Sequence, residues 1–367
     1  MDRQAILWEP LAEDRVHCFL CAQECRINPG RTGVCGVREN RGGTLYTLVY
    51  GEAVATNVDP IEKKPLFHFL PGSQSFSIAT VGCNMRCRFC QNADISQASK
   101  GKTETIHGRP LAPEYVVELA LRYGCASIAY TYTEPTIFME YVLDIAPLAI
   151  QAGLANVFVT NGFMTPEARE VILPYLHAAN IDLKGFAEEY YRRMCGARLQ
   201  PVLDTIREFH RRGVETEVTT LVVPEENDSD EELRSIAEFL ASVSPNLPWH
   251  VSRFFPTYEL TDRPPTPIAT LQRAAEIGRR AGLHYIYVGN VPGEGLENTL
   301  CPQCGNMIIR RQAMRATIEG QADLCAACGT PLPIVTEISP QAAPERLPGA
   351  DPPCSRTWLV ATWQYPA

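Results

Sequence analysis

The chain has 367 residues, 45% of them hydrophobic and 20% charged, with a formal net charge of −9. That make-up suits a globular enzyme with one large α/β domain and small appendages, and its acidity disfavours nucleic acid as a partner. Nothing approaches the roughly 18 apolar residues of a membrane span, and Met1 to Arg15 carries Asp2, Glu9, Glu13 and Asp14 with no signal-peptide core, so a cytoplasmic protein is expected.

In chain order, residues 1–70 read as a cysteine-rich unit, 71–290 as the main domain, 291–338 as a second cysteine-rich module and 339–367 as a Pro-rich tail. The first unit places Cys18, Cys21, Cys25 and Cys35 among Gly and Pro residues, which predicts loops wrapped around a metal. The spacing fits four ligands, with His17 a competitor for one place, and leaves zinc and a second iron–sulfur cluster equally open. Gly43 to Val58 alternates as one or two strands around Gly51. From there strands are predicted at 76–81, 127–132, 156–160, 179–183, 215–223, 250–254 and 284–288. Between them, helices are predicted at 113–123, 136–152, 166–176, 202–212, 230–243 and 267–281. Gly124, Gly153, Gly213 and Gly282 follow four of these helices, where a left-handed cap is wanted. This alternation predicts parallel βαβ units in a partial or full (β/α) barrel, with its chemistry at the carboxyl ends of the strands.

The first strand of that series runs into Cys83-Asn84-Met85-Arg86-Cys87-Arg88-Phe89-Cys90-Gln91-Asn92. Its three thiols have no fourth cysteine nearby in the chain. Three thiolates can hold a cubane cluster and leave one iron open to a further ligand; a zinc ion borrowing a distant fourth ligand is the competing reading. Cys301-Pro302-Gln303-Cys304-Gly305 and Cys325-Ala326-Ala327-Cys328-Gly329 form two CxxCG knuckles, for which a structural zinc is expected ahead of a redox iron. Cys125, Cys195 and Cys354 are read as buried thiols. Thr357 to Trp363 reads as a last strand.

The Cys83–Asn92 segment resembles the signature of radical S-adenosylmethionine (SAM) enzymes, and within them the branch of the pyruvate formate-lyase activating enzymes. The resemblance implies a [4Fe–4S] cluster on Cys83, Cys87 and Cys90, with SAM on its fourth iron and Phe89 beside the adenine. Tyr130-Thr131-Tyr132-Thr133-Glu134-Pro135 is similar to the segment that receives the methionyl amino group, which implicates Thr133 and Glu134. Thr160-Asn161-Gly162 and Asp182-Leu183-Lys184 resemble further cofactor segments, which implicates Thr160, Asn161, Asp182 and Lys184. Read without the resemblance, Glu134 can simply start a helix, Asp182 and Lys184 can be an ion pair, and Thr160 to Gly162 can be a turn. Gly289 to Gly293 is a loop of the kind that closes over adenine.

Two positions depart from the activating-enzyme pattern. Val159 stands where that branch has an acidic residue for a monovalent cation, and Arg253 to Tyr258 lacks the branch's His, the nearest being His250 earlier in the strand. The whole layout over residues 15–335 resembles the AmmeMemoRadiSam system radical SAM enzymes. It implies AMMECR1-like and Memo-like partner proteins and an electron donor such as flavodoxin or ferredoxin. The expected function is reductive cleavage of SAM to a 5′-deoxyadenosyl radical that abstracts hydrogen. Its target is a partner protein, as for a glycyl-radical activase, or a small molecule. The rival from another class is a non-catalytic zinc-ribbon adaptor using Arg310, Arg311 and Arg315. A pocket lidded by the ribbon would favour a small molecule; open strand ends would favour a protein.

Overall fold

The computed structural model describes residues 3–100, 106–291 and 295–338. The tail, with Cys354 and the strand expected at 357–363, lies outside the described residues. The alternating pattern folds into one sheet of eight strands. They are β1 (Ala55–Pro60), β2 (Gln74–Ala79), β3 (Ser127–Tyr130), β4 (Ala155–Thr160), β5 (Ala178–Asp182), β6 (Glu215–Val222), β7 (Trp249–Arg253) and β8 (Ile286–Gly289). Their order in space follows the chain. β2 to β8 are parallel, while β1 is an antiparallel edge strand with Ala55 opposite Ala79. Among the described residues β1 and β8 do not pair, so the barrel is partial.

The helices are α1 (Pro113–Arg122), α2 (Met139–Gln151), α3 (Pro166–Ile172), α4 (Gln200–Arg211), α5 (Asp230–Val243) and α6 (Ile268–Arg280). Local chemistry starts them. Pro113 and Pro166 occupy first-turn positions that need no N–H donor, Thr165 Oγ1 accepts from Ala168 N, and Ser229 Oγ accepts from Glu232 N beneath three acidic residues in the first turn of α5. The four glycines expected as caps have φ of +64° to +99°. The start of the helix expected at Thr136 is instead a 3₁₀ turn, Pro135–Phe138, ahead of α2.

The barrel interior is filled by the β1–β2 connection. Ala129, Ala155, Val157 and Ala178 on the strands are small, and Ile61, Leu66, Phe69 and Leu70 pack against them. Polar contacts fix this plug in the amino-terminal half of the barrel: Asn180 Nδ2 donates to Pro65 O (2.8 Å) and His68 N to Glu217 Oε1 (2.7 Å). Glu217 Oε2 lies 2.6 Å from His250 Nε2. His250 therefore belongs to the plug and does not stand in for the missing active-site His.

The second cysteine module is a three-stranded antiparallel ribbon, Thr299–Leu300, Met307–Gln312 and Arg315–Ile318. It docks on the plug, not over the carboxyl ends. Arg311 is buried, lies over the Phe67 ring and donates to Phe67 O (2.7 Å), while Val335 pairs with Phe69. Arg310 pairs with Glu319. Two of the arginines invoked for an adaptor are thus engaged within the protein.

Burial pushes the Glu217 carboxyl up to about 8, and pulls His68 and His250 down to about 3. An acid with a raised folded pKa loses its stabilising contribution as pH rises through that value. A base with a lowered one loses it as pH falls below its unfolded value of roughly 6.5. The plug's contribution therefore peaks near pH 6.5 and falls on both sides. Thermal melting against pH should show an alkaline limb between about 6.5 and 8 that flattens in Glu217→Gln; an unchanged limb would remove Glu217 as its source.

Candidate functional site

The three-cysteine loop leaves β2 through Gly82, whose φ of +101° is closed to most side chains. Its far side is pinned to a turn that follows β5: Arg86 N donates to Cys195 O (2.8 Å) and Arg88 N to Met194 O (3.0 Å). That turn, Tyr191–Cys195, is a single π turn closed by left-handed Gly196, a local form frequent at functional sites.

Cys83 and Cys87 are buried and Cys90 is partly exposed. Asn161 Nδ2 (3.3 Å) and Met85 N (3.4 Å) donate to Cys83 Sγ. Burial pushes the Cys83 thiol up to about 12, with Lys100 opposing the shift. A hydrogen bond with Cys195 and then burial push Cys87 well above its ordinary value. The sequence thus missed a cysteine. Cys195 is a buried thiol, as expected, but it touches Cys87. Its signal was its place, in the loop region that follows Lys184 at a strand end, where loops carry chemistry.

The other predicted residues converge here. Glu134 is buried, with Oε1 accepting from Thr136 N (3.1 Å), Thr136 Oγ1 (2.6 Å) and Thr160 Oγ1 (2.7 Å), and Oε2 from Asn161 N (2.7 Å). It caps the 3₁₀ turn, the plainer of its two readings, yet Oε2 has one bonded donor and a carboxylate oxygen has room for two. Thr133 Oγ1 donates to Thr80 O (2.8 Å), tying two strand ends together. Tyr132 adopts φ of +63°, its carbonyl accepts from Asn92 Nδ2 (2.8 Å), and its hydroxyl donates to Asp59.

Lys184 Nζ meets Asp182 Oδ2 at 2.8 Å, the ion pair foreseen. Burial disfavours the Lys184 charge, but Asp182, Cys87 and Cys195 together hold its pKa well up. Phe89 is buried and stacks on Tyr190, with ring centroids 6.3 Å apart. Tyr190 Oη is buried with no hydrogen-bond partner among the described residues, and Cys195 and Cys87 are its nearest charged influences. Asn290, in the loop after β8, donates to Ser252 Oγ (3.0 Å) and Arg253 O (3.2 Å), while Pro292 and Gly293 lie outside the described residues. Val159 is half-buried.

The sulfur spacings separate two kinds of metal site. Cys301, Cys304, Cys325 and Cys328 bring their sulfurs within 4.8 Å of one another, with two pairs at 3.6 Å. A tetrahedral ion with metal–sulfur bonds of about 2.3 Å places its ligands about 3.8 Å apart, so this cage fits one ion. Among the described residues no other three ligand atoms are so close. The sulfurs of Cys83, Cys87 and Cys90 are not drawn into such a cage, and a cubane cluster is the larger group that three thiolates can hold. The donor set, the orphaned Tyr190 hydroxyl and the spare capacity of Glu134 fit such a group.

Residues 77–240 match the family model of the radical SAM superfamily. The chain is 43% identical to the uncharacterized protein MJ0808 of Methanocaldococcus jannaschii over 337 residues, 91% of this chain and 99% of that protein. It is 23% identical over 168 residues to a pyruvate formate-lyase-activating enzyme of Clostridium pasteurianum, covering 44% of this chain and 67% of that enzyme. Among solved structures, a domain of a pyruvate formate-lyase-activating enzyme from Bacteroides vulgatus aligns with a TM-score of 0.39 at 20% identity, over 45% of this chain and 99% of that one.

Proposed function

We propose that this chain, whose residues 77–240 form a radical SAM superfamily domain, is an activating-enzyme-like member that generates a 5′-deoxyadenosyl radical to abstract hydrogen from a partner protein. The carrying observation is the convergence on one cysteine trio of Glu134, Asn161, Asp182 and Lys184 from three neighbouring strand ends. Cys83, Cys87 and Cys90 hold a [4Fe–4S] cluster, and the ribbon cysteines hold zinc. When bound, cluster and SAM supply a one-electron reductive cleavage of a carbon–sulfur bond.

The protein's own groups do the positioning. Glu134 Oε2 accepts from the methionyl ammonium, and the Lys184 ammonium meets the carboxylate. Asp182 takes the ribose hydroxyls, with Thr133, Thr160 and Asn161 setting the Glu134 carboxylate and the Cys83 sulfur in place. Phe89 and Tyr190 give the adenine an aromatic wall.

The ribbon's place on the plug favours a protein substrate, because it leaves the carboxyl ends without that lid. The small-molecule alternative draws on the polar floor formed by Lys64 and Asp59, paired at 2.6 Å beneath Tyr132. The AMMECR1-like and Memo-like proteins are the first partners to test, with a flavodoxin or ferredoxin as donor. Among the described residues no helix is long and apolar enough to cross a membrane. Adding SAM to the reduced, reconstituted protein should change the paramagnetic resonance of the cluster; a signal indifferent to SAM would contradict an open iron.

A further inference from the structure

Cys18, Cys21, Cys25 and Cys35 remain unused by this function. Cys18 and Cys25 face each other across an antiparallel pair of short strands, Val16–Cys18 and Cys25–Ile27. Cys21 lies on the turn between them, within electrostatic reach of Cys18, Cys35 and Cys25. Cys18, Cys21 and Cys35 are buried and Cys25 is partly exposed. His17 alternates with Cys18 along its strand and lies opposite Arg26 rather than Cys25, so it faces away from the quartet, toward Glu9 (Nδ1 to Oε1, 2.9 Å).

Three observations bear on what this quartet holds. Its sulfurs are not gathered into the 4.8 Å cage of the ribbon cysteines, so they suit a core larger than one ion. Arg38 is 2% exposed, its charge faces Cys18 and Cys35, and its Nε has no hydrogen-bond partner among the described residues. Glu140 already meets Arg38 Nη1 at 2.8 Å, so it is the Nε N–H of this buried cation that is left without an acceptor, and a thiolate-ligated cluster provides one.

The third observation is position. Gln23 Nε2, between Cys21 and Cys25, donates to Asn84 O (2.9 Å), the residue after Cys83. Ala22 N (3.2 Å) and Asn84 Nδ2 (3.3 Å) donate to the same Phe163 carbonyl. A Cβ on Gly82 would stand 3.1 Å from Cys35 O. The half-buried Lys100 ammonium faces Cys83 and Cys35 together. A zinc staple would be indifferent to this closeness; an electron relay depends on it.

We propose that Cys18, Cys21, Cys25 and Cys35 hold a second iron–sulfur cluster, ligated by all four thiolates, that passes single electrons to the cluster on Cys83, Cys87 and Cys90. The inference rests on the proposed function for the second half of that statement. In each transfer the quartet cluster is oxidised by one electron and the central cluster reduced by one. A reduced flavodoxin- or ferredoxin-type protein then restores the quartet cluster, and no proton need move.

The test is metal content and paramagnetic resonance of the full chain, reconstituted anaerobically, for wild type, Cys21→Ser, Cys25→Ser and Cys87→Ala. Wild type should hold about eight irons and one zinc, with about four irons lost in either quartet variant and a different four in Cys87→Ala. Partly exposed Cys25 provides a variant that folds if Cys21→Ser does not. A second zinc in wild type, with iron unchanged in Cys21→Ser and Cys25→Ser, overturns the proposal. Iron unchanged in Cys87→Ala with Cys195→Ala, but lost in Cys25→Ser, overturns the function above and leaves the quartet cluster standing. In stopped flow, a reduced flavodoxin should reduce the central cluster of Cys25→Ser at least about tenfold more slowly than that of wild type, while dithionite reduces both fully; equal rates overturn the relay.

Discussion

Cys87→Ala is expected to abolish SAM cleavage, by a factor of about a thousand or more, and to remove about four irons per chain while leaving the zinc in place. The loss should be chemical rather than structural. The loop is held by main-chain bonds from Arg86 and Arg88 to Cys195 and Met194, none of which uses the Cys87 sulfur. The ribbon cage sits on the plug with its own four ligands. Cys195 makes the comparison more informative, because its thiol already touches Cys87 and can serve as a replacement ligand. Any iron that the single variant keeps at this loop should vanish in Cys87→Ala with Cys195→Ala, which leaves only the iron of the N-terminal quartet. Metal analysis and product chromatography read both; iron unchanged in the double variant would move the cluster elsewhere.

Glu140→Ala is expected to have the largest effect on folding, a loss of about 3–5 kcal/mol. Glu140 lies in the first turn of α2, nearly fully buried, and its Oε1 accepts from Arg38 Nη1 (2.8 Å) and Ile6 N (2.8 Å). Removing the carboxylate takes the ion-pair partner from the buried Arg38 and the acceptor from Ile6 N. Glu140→Gln keeps one acceptor and should cost less. Denaturant midpoints measure both; a loss under about 1 kcal/mol for the Ala variant would mean that Arg38 finds another partner.

Strands and helices were legible because parallel strands covered on both faces read as apolar runs and each helix carries its start and stop signals locally. β4, Ala-Asn-Val-Phe-Val-Thr, is one such run. The positions of the candidate site were legible for the same reason: Cys83, Glu134 and Asn161 sit just past strand ends and Asp182 closes one. What depends on long-range packing was not. The plug is an ordinary loop in sequence, and only the small residues facing it mark its place in the barrel. The ribbon's docking rests on Arg311 and Phe67, 244 positions apart, which no spacing rule connects. Arg38 with Glu140, Gln23 with Asn84 and Cys87 with Cys195 are tertiary pairs of the same kind.

The central claim is that the cysteine trio, with Glu134, Asp182 and Lys184 around it, is built to cleave SAM by one-electron reduction. Its most direct test is anaerobic reconstitution with iron and sulfide, reduction, and chromatography for 5′-deoxyadenosine after SAM is added. The structure predicts cubane-type absorption and release of 5′-deoxyadenosine with methionine in equal amounts, absent from Cys87→Ala. A fully loaded, reduced protein that releases none, with the candidate partner proteins present, would contradict it.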